Sequence, residues 1–278
     1  DIDAADWPSL TTFVGKTAPL ANAEPIGADE VAIIMYTSGT TGRPKGAMLT
    51  HGNIWWNNSM SLLTIDSHET DVTLVVAPLF HIGGLNVTTL AAFQKGAEVV
   101  LHRGFDPSRW IEDVTKYKVT TAFAVPAMLF AVSQNPGFAS ADFASVRTII
   151  CGGAPVPEPL LHLYAKRGMP INQGYGLTET APMVTFLTSE WGAAKLGSAG
   201  KAGFFIDVGL VDADGKFLHE AGARGEVVCR GPNIMKGYWN KPEATAAAID
   251  PAGWFHTGDV GYFDADGFLF ICDRVKDM

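Results

Sequence analysis

The 278-residue chain is poor in cysteine, in basic runs and in long apolar runs. Its three cysteines, Cys151, Cys229 and Cys272, show no CxxC spacing. That speaks against a disulfide framework in a chain of this size, and reduced thiols in the cytoplasm are the expectation. The most apolar stretch, Val119 to Val132, is interrupted by Pro126 and falls short of the ~20 residues that span a bilayer, so no membrane span is expected. No Lys/Arg-rich segment occurs and the net charge is −9, which argues against a nucleic-acid partner. The opening "DIDAADWPSL" is acidic and lacks the form of a signal peptide.

Hydrophobic residues make up 47% and charged ones 18%, enough apolar matter for a large core. Up to about residue 175, short runs rich in β-branched residues alternate with segments of helical length. The runs are "VAIIMY" (31–36), "VTLVVAP" (72–78), "AEVVLH" (97–102), "VTTAFAVP" (119–126) and "VRTIICGG" (146–153); the helical segments cover 52–63, 82–95, 106–117 and 157–167. Continuous apolar strands alternating with helices predict an α/β fold with a mainly parallel sheet flanked by helices. Ligands of such sheets bind at the carboxyl ends of the strands. After residue 197 the texture changes to paired strand patterns around Asp214-Gly215 and Asp266-Gly267, a hairpin signal, so a β-rich subdomain is expected there. Neither end of the chain carries an opening or closing element, and a fragment is the simple reading.

"YTSGTTGRPKGAMLTH" (36–51) concentrates hydroxyls, glycines and two cations directly after an apolar run. Glycines let backbone N–H groups converge on an anion, hydroxyls add donors, and Lys45 adds a mobile positive charge suited to a polyphosphate. The segment is not a Walker loop, because Pro44 precedes Lys45 and Gly46 follows it. Three further stretches invite a site reading: "CGGAP" (151–155), "NQGYGLTET" (172–180) and "WFHTGDVG" (254–261), followed by "DRVKDM" at the end. By themselves, CGGAP reads equally as a tight strand-to-helix turn, the Thr-Glu pair as a helix cap, Asp259 as a turn residue and Arg274 as a surface ion-pair partner.

Taken in this order, with "GEVVCRGPNIMKGYWNKPEAT" (225–245), these stretches resemble the signatures of the adenylate-forming superfamily. Its members include acyl-CoA synthetases, luciferase-like enzymes and peptide-synthetase adenylation domains. The resemblance covers nearly the whole chain. It implies an AMP-binding domain whose α/β part spans 1–195, incomplete at its N-terminal side, with the β-rich part at 196–273. Residues 274–278 would be the hinge to a C-terminal domain absent from this chain, with Lys276 at the pivot. The implied reaction joins a carboxylate to ATP as acyl-AMP with release of pyrophosphate, then passes the acyl group to coenzyme A.

On the same basis Thr37, Ser38, Gly39, Thr40, Thr41, Gly42 and Lys45 would hold the phosphates, and Gly153, Ala154, Pro155, Gln173, Gly174, Tyr175 and Gly176 would also bind the nucleotide, with the Tyr175 ring against the adenine. Thr178 would approach the α-phosphate, Glu179 would bind Mg²⁺, and Asp259 with Arg274 would hold the ribose. Thr37, Lys45, Thr178 and Glu179 are the expected catalytic set, without a side-chain nucleophile. His81, Gly83, Gly152 and Gly174 would face the acid. Amino-acid-activating relatives carry an aspartate in the segment matching "PLFHIGGLN" (78–86); no acid stands there, so a fatty or other apolar acid is expected first and an aryl acid second. Phe80, Trp55 and Trp56 read equally as the wall of an apolar tunnel and as plain core. Without the C-terminal domain the isolated piece is expected to be weakly active, and a non-catalytic nucleotide-binding module is the alternative reading.

Overall fold

The computed structural model describes residues 10–15, 18, 19, 22, 24–37 and 43–275. In chain order the strands are β1 (Val31–Thr37), β2 (Lys45–Thr50), β3 (Val72–Val75), β4 (Glu98–Leu101), β5 (Thr121–Ala124), β6 (Thr148–Gly152) and β7 (Ile171–Gly176). They continue as β8 (Met183–Leu187), β9 (Lys201–Ala202), β10 (Asp207–Val211), β11 (Gly225–Arg230), β12 (Gly237–Tyr238), β13 (Phe255–Phe263) and β14 (Leu269–Arg274). Among the described residues they form three sheets, ordered β4-β3-β5-β6-β7-β8-β9, β10-β11-β13-β14 and β1-β2-β12.

In the largest sheet β4, β3, β5, β6 and β7 run parallel, while β8 and β9 are antiparallel additions. Side chains alternate across it. Ala122, Ala124, Ile149 and Cys151 point into one core with Trp110, Leu129 and Tyr164 from helices Pro107–Tyr117, Pro126–Ser133 and Glu158–Lys166. Phe123, Ile150 and Phe186 point into a second core with Leu49, Met60, Ile206 and Tyr238. Burial on both faces explains why β3, β5 and β6 read as unbroken apolar runs. At their amino ends Asp71 ties three strands together: it accepts from Arg147 Nη2 (2.7 Å), His68 N (2.7 Å) and Thr120 Oγ1 (2.7 Å).

Two expectations need correction. "VAIIMY" does not join the parallel sheet; it pairs antiparallel with β2 in a separate sheet. An apolar run specifies a strand without naming its neighbour. The expected helix 82–95 is two helices, Ile82–Asn86 and Thr89–Lys95, broken at the β-branched Val87 and Thr88. Asp214-Gly215 does turn the chain into a short hairpin, closed by the antiparallel Val211–Phe217 bridge and by Leu218 N donating to the carbonyl of Leu210 (2.9 Å), while β10 pairs antiparallel with the later β11. Asp266-Gly267 does lie in the turn between β13 and β14.

Between β7 and β8 the chain runs buried through a single 3-10 turn, Thr178–Thr180, and on through Ala181, and backbone groups there need partners that no ladder provides. Three asparagines supply them, and a fourth braces the loop that carries one of the three. Asn233 Nδ2 donates to the carbonyls of Thr180 (2.6 Å) and Met183 (2.8 Å). Asn86 Nδ2 donates to the carbonyl of Ala181, and Asn57 accepts from Met183 N (3.0 Å) while donating to the carbonyl of Asn86 (2.9 Å). Asn53 donates to the carbonyls of Pro232 and Ile234, on either side of Asn233. Asn57, Asn86 and Asn233 are completely buried.

Two outcomes follow for equilibrium unfolding. Asn233→Ala strips two buried carbonyls of their donor and should lower stability by about 2 kcal/mol, read from the urea midpoint; a change within error would contradict the bracing. Burial pushes the Asp71 carboxyl up, but the bonds from Arg147, His68 and Thr120 outweigh it and hold its pKa below the ordinary 3.8. The stability it contributes is complete above that ordinary value and is lost as pH falls through the lowered one. Asp71→Asn should therefore cost stability at neutral pH and flatten the acid limb of a stability–pH profile.

Candidate active site

Three cavities open onto the carboxyl end of β7. An apolar cavity of about 450 Å³ is lined by His81, Gly83, Phe123, Met128, Gly152 and Phe186 among others. A polar cleft of about 890 Å³ is bordered by Thr37, Arg43, Lys45, Thr178, Glu179 and Lys241. The third, of about 420 Å³, is bordered by Ala154, Pro155, Gln173, Asp259, Cys272 and Arg274. Gly176 borders all three, and Gly153, Gly174 and Tyr175 border both the first and the third. The sheet's polarity puts them there, since loops that follow parallel strands gather at the carboxyl edge.

Backbone supplies the shared rim. A Cβ on Gly176 would overlap the carbonyl of Pro182, and one on Gly152 would lie 2.8 Å from the carbonyl oxygen of Gly174. No side chain fits between these segments, so the rim stays open to a ligand.

In the third cavity Tyr175 Oη donates to Asp259 Oδ2 (2.7 Å), and Arg274 Nε lies 3.0 Å from Asp259 Oδ1. Asp259 is buried, and its own N–H donates to Thr257 Oγ1 (3.1 Å). Burial and the neighbouring Asp259 carboxylate push the Tyr175 phenol well above its ordinary value, so it stays a donor. Each carboxylate oxygen of Asp259 has one partner and keeps a further lone pair for the hydroxyls of a diol.

In the polar cleft Tyr238 Oη donates to Glu179 Oε1 (2.9 Å), and Lys45 Nζ lies 4.3 Å from the centre of the Tyr238 ring. The Glu179 carbonyl is pinned by Met235 N (2.8 Å). Burial and Glu179 push the Tyr238 phenol upward, which keeps it protonated. Arg43, Lys45, Lys241 and Arg274 surround this cleft with positive charge, against Glu179 and Glu226. Glu226 is already engaged, accepting from Gly258 N (3.0 Å) and lying 2.8 Å from His256 Nδ1. An arrangement of this kind suits a polyanion.

No cluster of three or more His, Cys, Asp or Glu able to hold a metal occurs among the described residues. Glu179, with one oxygen free of Tyr238, fits a hard divalent cation only if phosphate oxygens and water complete its shell.

The structure thus gathers Thr37, Lys45, Thr178 and Glu179 in one cleft, and Ala154, Pro155, Gln173, Tyr175, Asp259 and Arg274 in another. His81, Gly83 and Gly152 line the apolar cavity, as does Gly174 at its rim. Ser38, Gly39, Thr40, Thr41, Gly42 and Lys276 lie outside the described residues. The aromatic tunnel needs correction: Phe80, Trp55 and Trp56 do not border the apolar cavity, and Phe80 and Trp55 are exposed. Helix His51–Thr64 turns Asn53, Asn57, Met60 and Ser61 inward, which puts Trp55 on its outer side. Sequence reasoning missed Tyr238, although it lies in a quoted motif, and it missed the asparagines.

The family model described as AMP-binding enzyme matches residues 2–239. A feruloyl-CoA synthase of an Amycolatopsis species is 48% identical over 254 residues, covering 91% of this chain and 51% of that protein. The long-chain-fatty-acid–CoA ligase FadD13 of Mycobacterium tuberculosis is 40% identical over 276 residues, covering 98% and 54%. The chain therefore spans about half the length of the curated relatives it matches. Among solved structures, the O-succinylbenzoate coenzyme A synthetase of Bacillus subtilis in complex with ATP and magnesium ion superposes with a TM-score of 0.85 at 37% identity, covering 95% of this chain and 54% of that one.

Burial pushes the thiols of Cys151 and Cys229 up to about 12, whereas Cys272 is exposed at the third cavity. A thiol-reactive dye at pH 8 should label one cysteine of the native protein rapidly and the other two only after unfolding. Rapid labelling of more than one would contradict the packing of β6 and β11.

Proposed function

The chain belongs to the AMP-binding enzyme family, and on that premise we propose that it is the nucleotide- and acid-binding part of an ATP-dependent, AMP-forming carboxylic acid–CoA ligase. The observation that carries this reading is the meeting of three cavities of different chemistry on the rim Gly174–Gly176. An acid held in the apolar cavity, a nucleoside in the third and a polyphosphate in the cationic cleft would bring carboxylate and α-phosphate together there. One carboxylate oxygen forms a bond to the α-phosphorus, and the bond from that phosphorus to the bridging oxygen breaks. Pyrophosphate leaves with the electron pair. In the second half-reaction the thiol of coenzyme A takes the acyl group and AMP leaves.

Two anions must approach each other, so the site has to offset their repulsion, and positioning with fixed charge accounts for most catalysis of this kind. Lys45 faces the departing pyrophosphate and Thr178 the α-phosphate, while Asp259 and Arg274 fix the ribose and Tyr175 stacks on the adenine. Ser38 to Gly42 complete the phosphate loop. Mg²⁺, when bound at Glu179, neutralises phosphate charge. The Tyr238 hydroxyl orients Glu179 for that task. The acid has an apolar body: Phe123, Met128 and Phe186 line its cavity, and no Asp, Glu, Lys or Arg does so among the described residues. The relatives named for feruloyl and long-chain fatty acyl substrates support both branches of that class. The division at residues 195 and 196, the hinge at 274–278 about Lys276, and a cytoplasmic setting belong to the same proposal. Among the described residues no helix is long and apolar enough to cross a membrane.

The test is acid-dependent exchange of labelled pyrophosphate into ATP by the protein at its natural length. Glu179→Gln and Lys45→Ala should each lower kcat/KM about 100-fold, and Tyr238→Phe, which only orients Glu179, about 10-fold. ATP or AMP should also slow labelling of Cys272. Protection of Cys272 with no exchange on any acid would replace the ligase reading by that of a nucleotide-binding module.

A further inference from the structure

The apolar cavity contains one polar group that the ligase reading does not use. Ser61, on helix His51–Thr64, borders the cavity, is 1% exposed, and its hydroxyl has no hydrogen-bond partner. A helical serine or threonine normally turns its hydroxyl onto the carbonyl four residues earlier. Its neighbours do so: Ser59 Oγ donates to the carbonyl of Trp55 (2.9 Å), and Thr64 Oγ1 to that of Met60 (2.7 Å). Ser61 does not. An unmade bond at a buried hydroxyl is destabilising, a penalty that a ligand oxygen would remove.

Two further observations define what that ligand carries. Ser61 borders neither the polar cleft nor the third cavity, whereas an acid poised for adenylation must keep its carboxylate at the shared rim of Gly174–Gly176. Ser61 therefore meets the body of the acid, away from the carboxylate. With no Asp, Glu, Lys or Arg lining the cavity among the described residues, a second charge there would be buried without a partner. The other polar side chains of the lining are accounted for, since Tyr175 is bonded to Asp259 and His81 is exposed at the N-cap of helix Ile82–Asn86.

We infer that Ser61 is a specificity residue that hydrogen-bonds an uncharged oxygen, a hydroxyl in the first instance, on the apolar body of the acid. This deepens the ligase reading and rests on it.

The experiment is pyrophosphate exchange with two matched pairs: 3-phenylpropenoic acid against its 4-hydroxy derivative, and octanoic acid against 8-hydroxyoctanoic acid. The enzyme at its natural length is compared with Ser61→Ala and Ser61→Thr. In at least one pair the hydroxy acid should be favoured roughly ten-fold in kcat/KM, as expected for one neutral hydrogen bond. Ser61→Ala should abolish that ratio and leave the plain acid's kcat/KM unchanged, which also shows that the variant is folded; Ser61→Thr should retain the ratio. The pair that responds tells a ring from a chain. The inference is overturned by no preference in either pair, by a preference that survives Ser61→Ala, or by a Ser61→Ala variant that loses the plain acid as well. Absence of exchange with every acid is a separate outcome: it removes the ligase reading itself, and this inference with it.

Discussion

A segment buried between two strands must have every backbone group answered, and here that requirement falls on Glu179 to Met183. The segment cannot use a sheet ladder, because β8 begins only at Met183. Asn233, Asn86 and Asn57 answer it from three directions, and Asn53 in turn holds the loop that presents Asn233. The helix His51–Thr64, the pair β7–β8 and the loop after β11 are thereby fixed to one another. Glu179 has its position because its main chain has no alternative, and its carboxylate then needs only Tyr238 to set its direction.

The same economy governs the other side of the site. Tyr175 leaves the end of β7 and reaches Asp259 on β13, while Arg274 reaches the same carboxylate from β14. One buried aspartate therefore joins the parallel sheet to the antiparallel one at the point where the third cavity lies. Burial on both faces of the large sheet makes its strand ends rigid, and rigid strand ends make short, glycine-lined loops usable as a rim.

Much of the large sheet was legible because a strand buried on both faces has to be apolar throughout. CGGAP and NQGYGLTET were read as a site through their resemblance to the family's signatures; their glycines by themselves mark only places where backbone approaches backbone, as Gly152 does to Gly174. Sheet membership was harder. Val31 and Ile34 are partly exposed, yet "VAIIMY" looks no different from a central strand. β7 itself, "INQGYG", has weak intrinsic strand preference and owes its pairing to its neighbours β6 and β8. The asparagine brace was invisible for a chemical reason: asparagine is at home on a surface loop, and nothing in a sequence marks the four that are buried. Trp55 misled in the opposite direction, since a large aromatic beside a pocket segment need not face the pocket.

The rim of Gly174 to Gly176 is made of main chain, whereas the wall of the apolar cavity is made of side chains contributed by several separate elements. Substitution in that wall alters which molecule fits and leaves the meeting point where it was. Such a scaffold can drift from one acid to another by single, independent steps, each tested by selection without re-inventing the reaction. A change at Gly176 has no such freedom, because any side chain there collides with Pro182. Diversity of substrate among the relatives of this chain is what that division of labour would produce over evolutionary time.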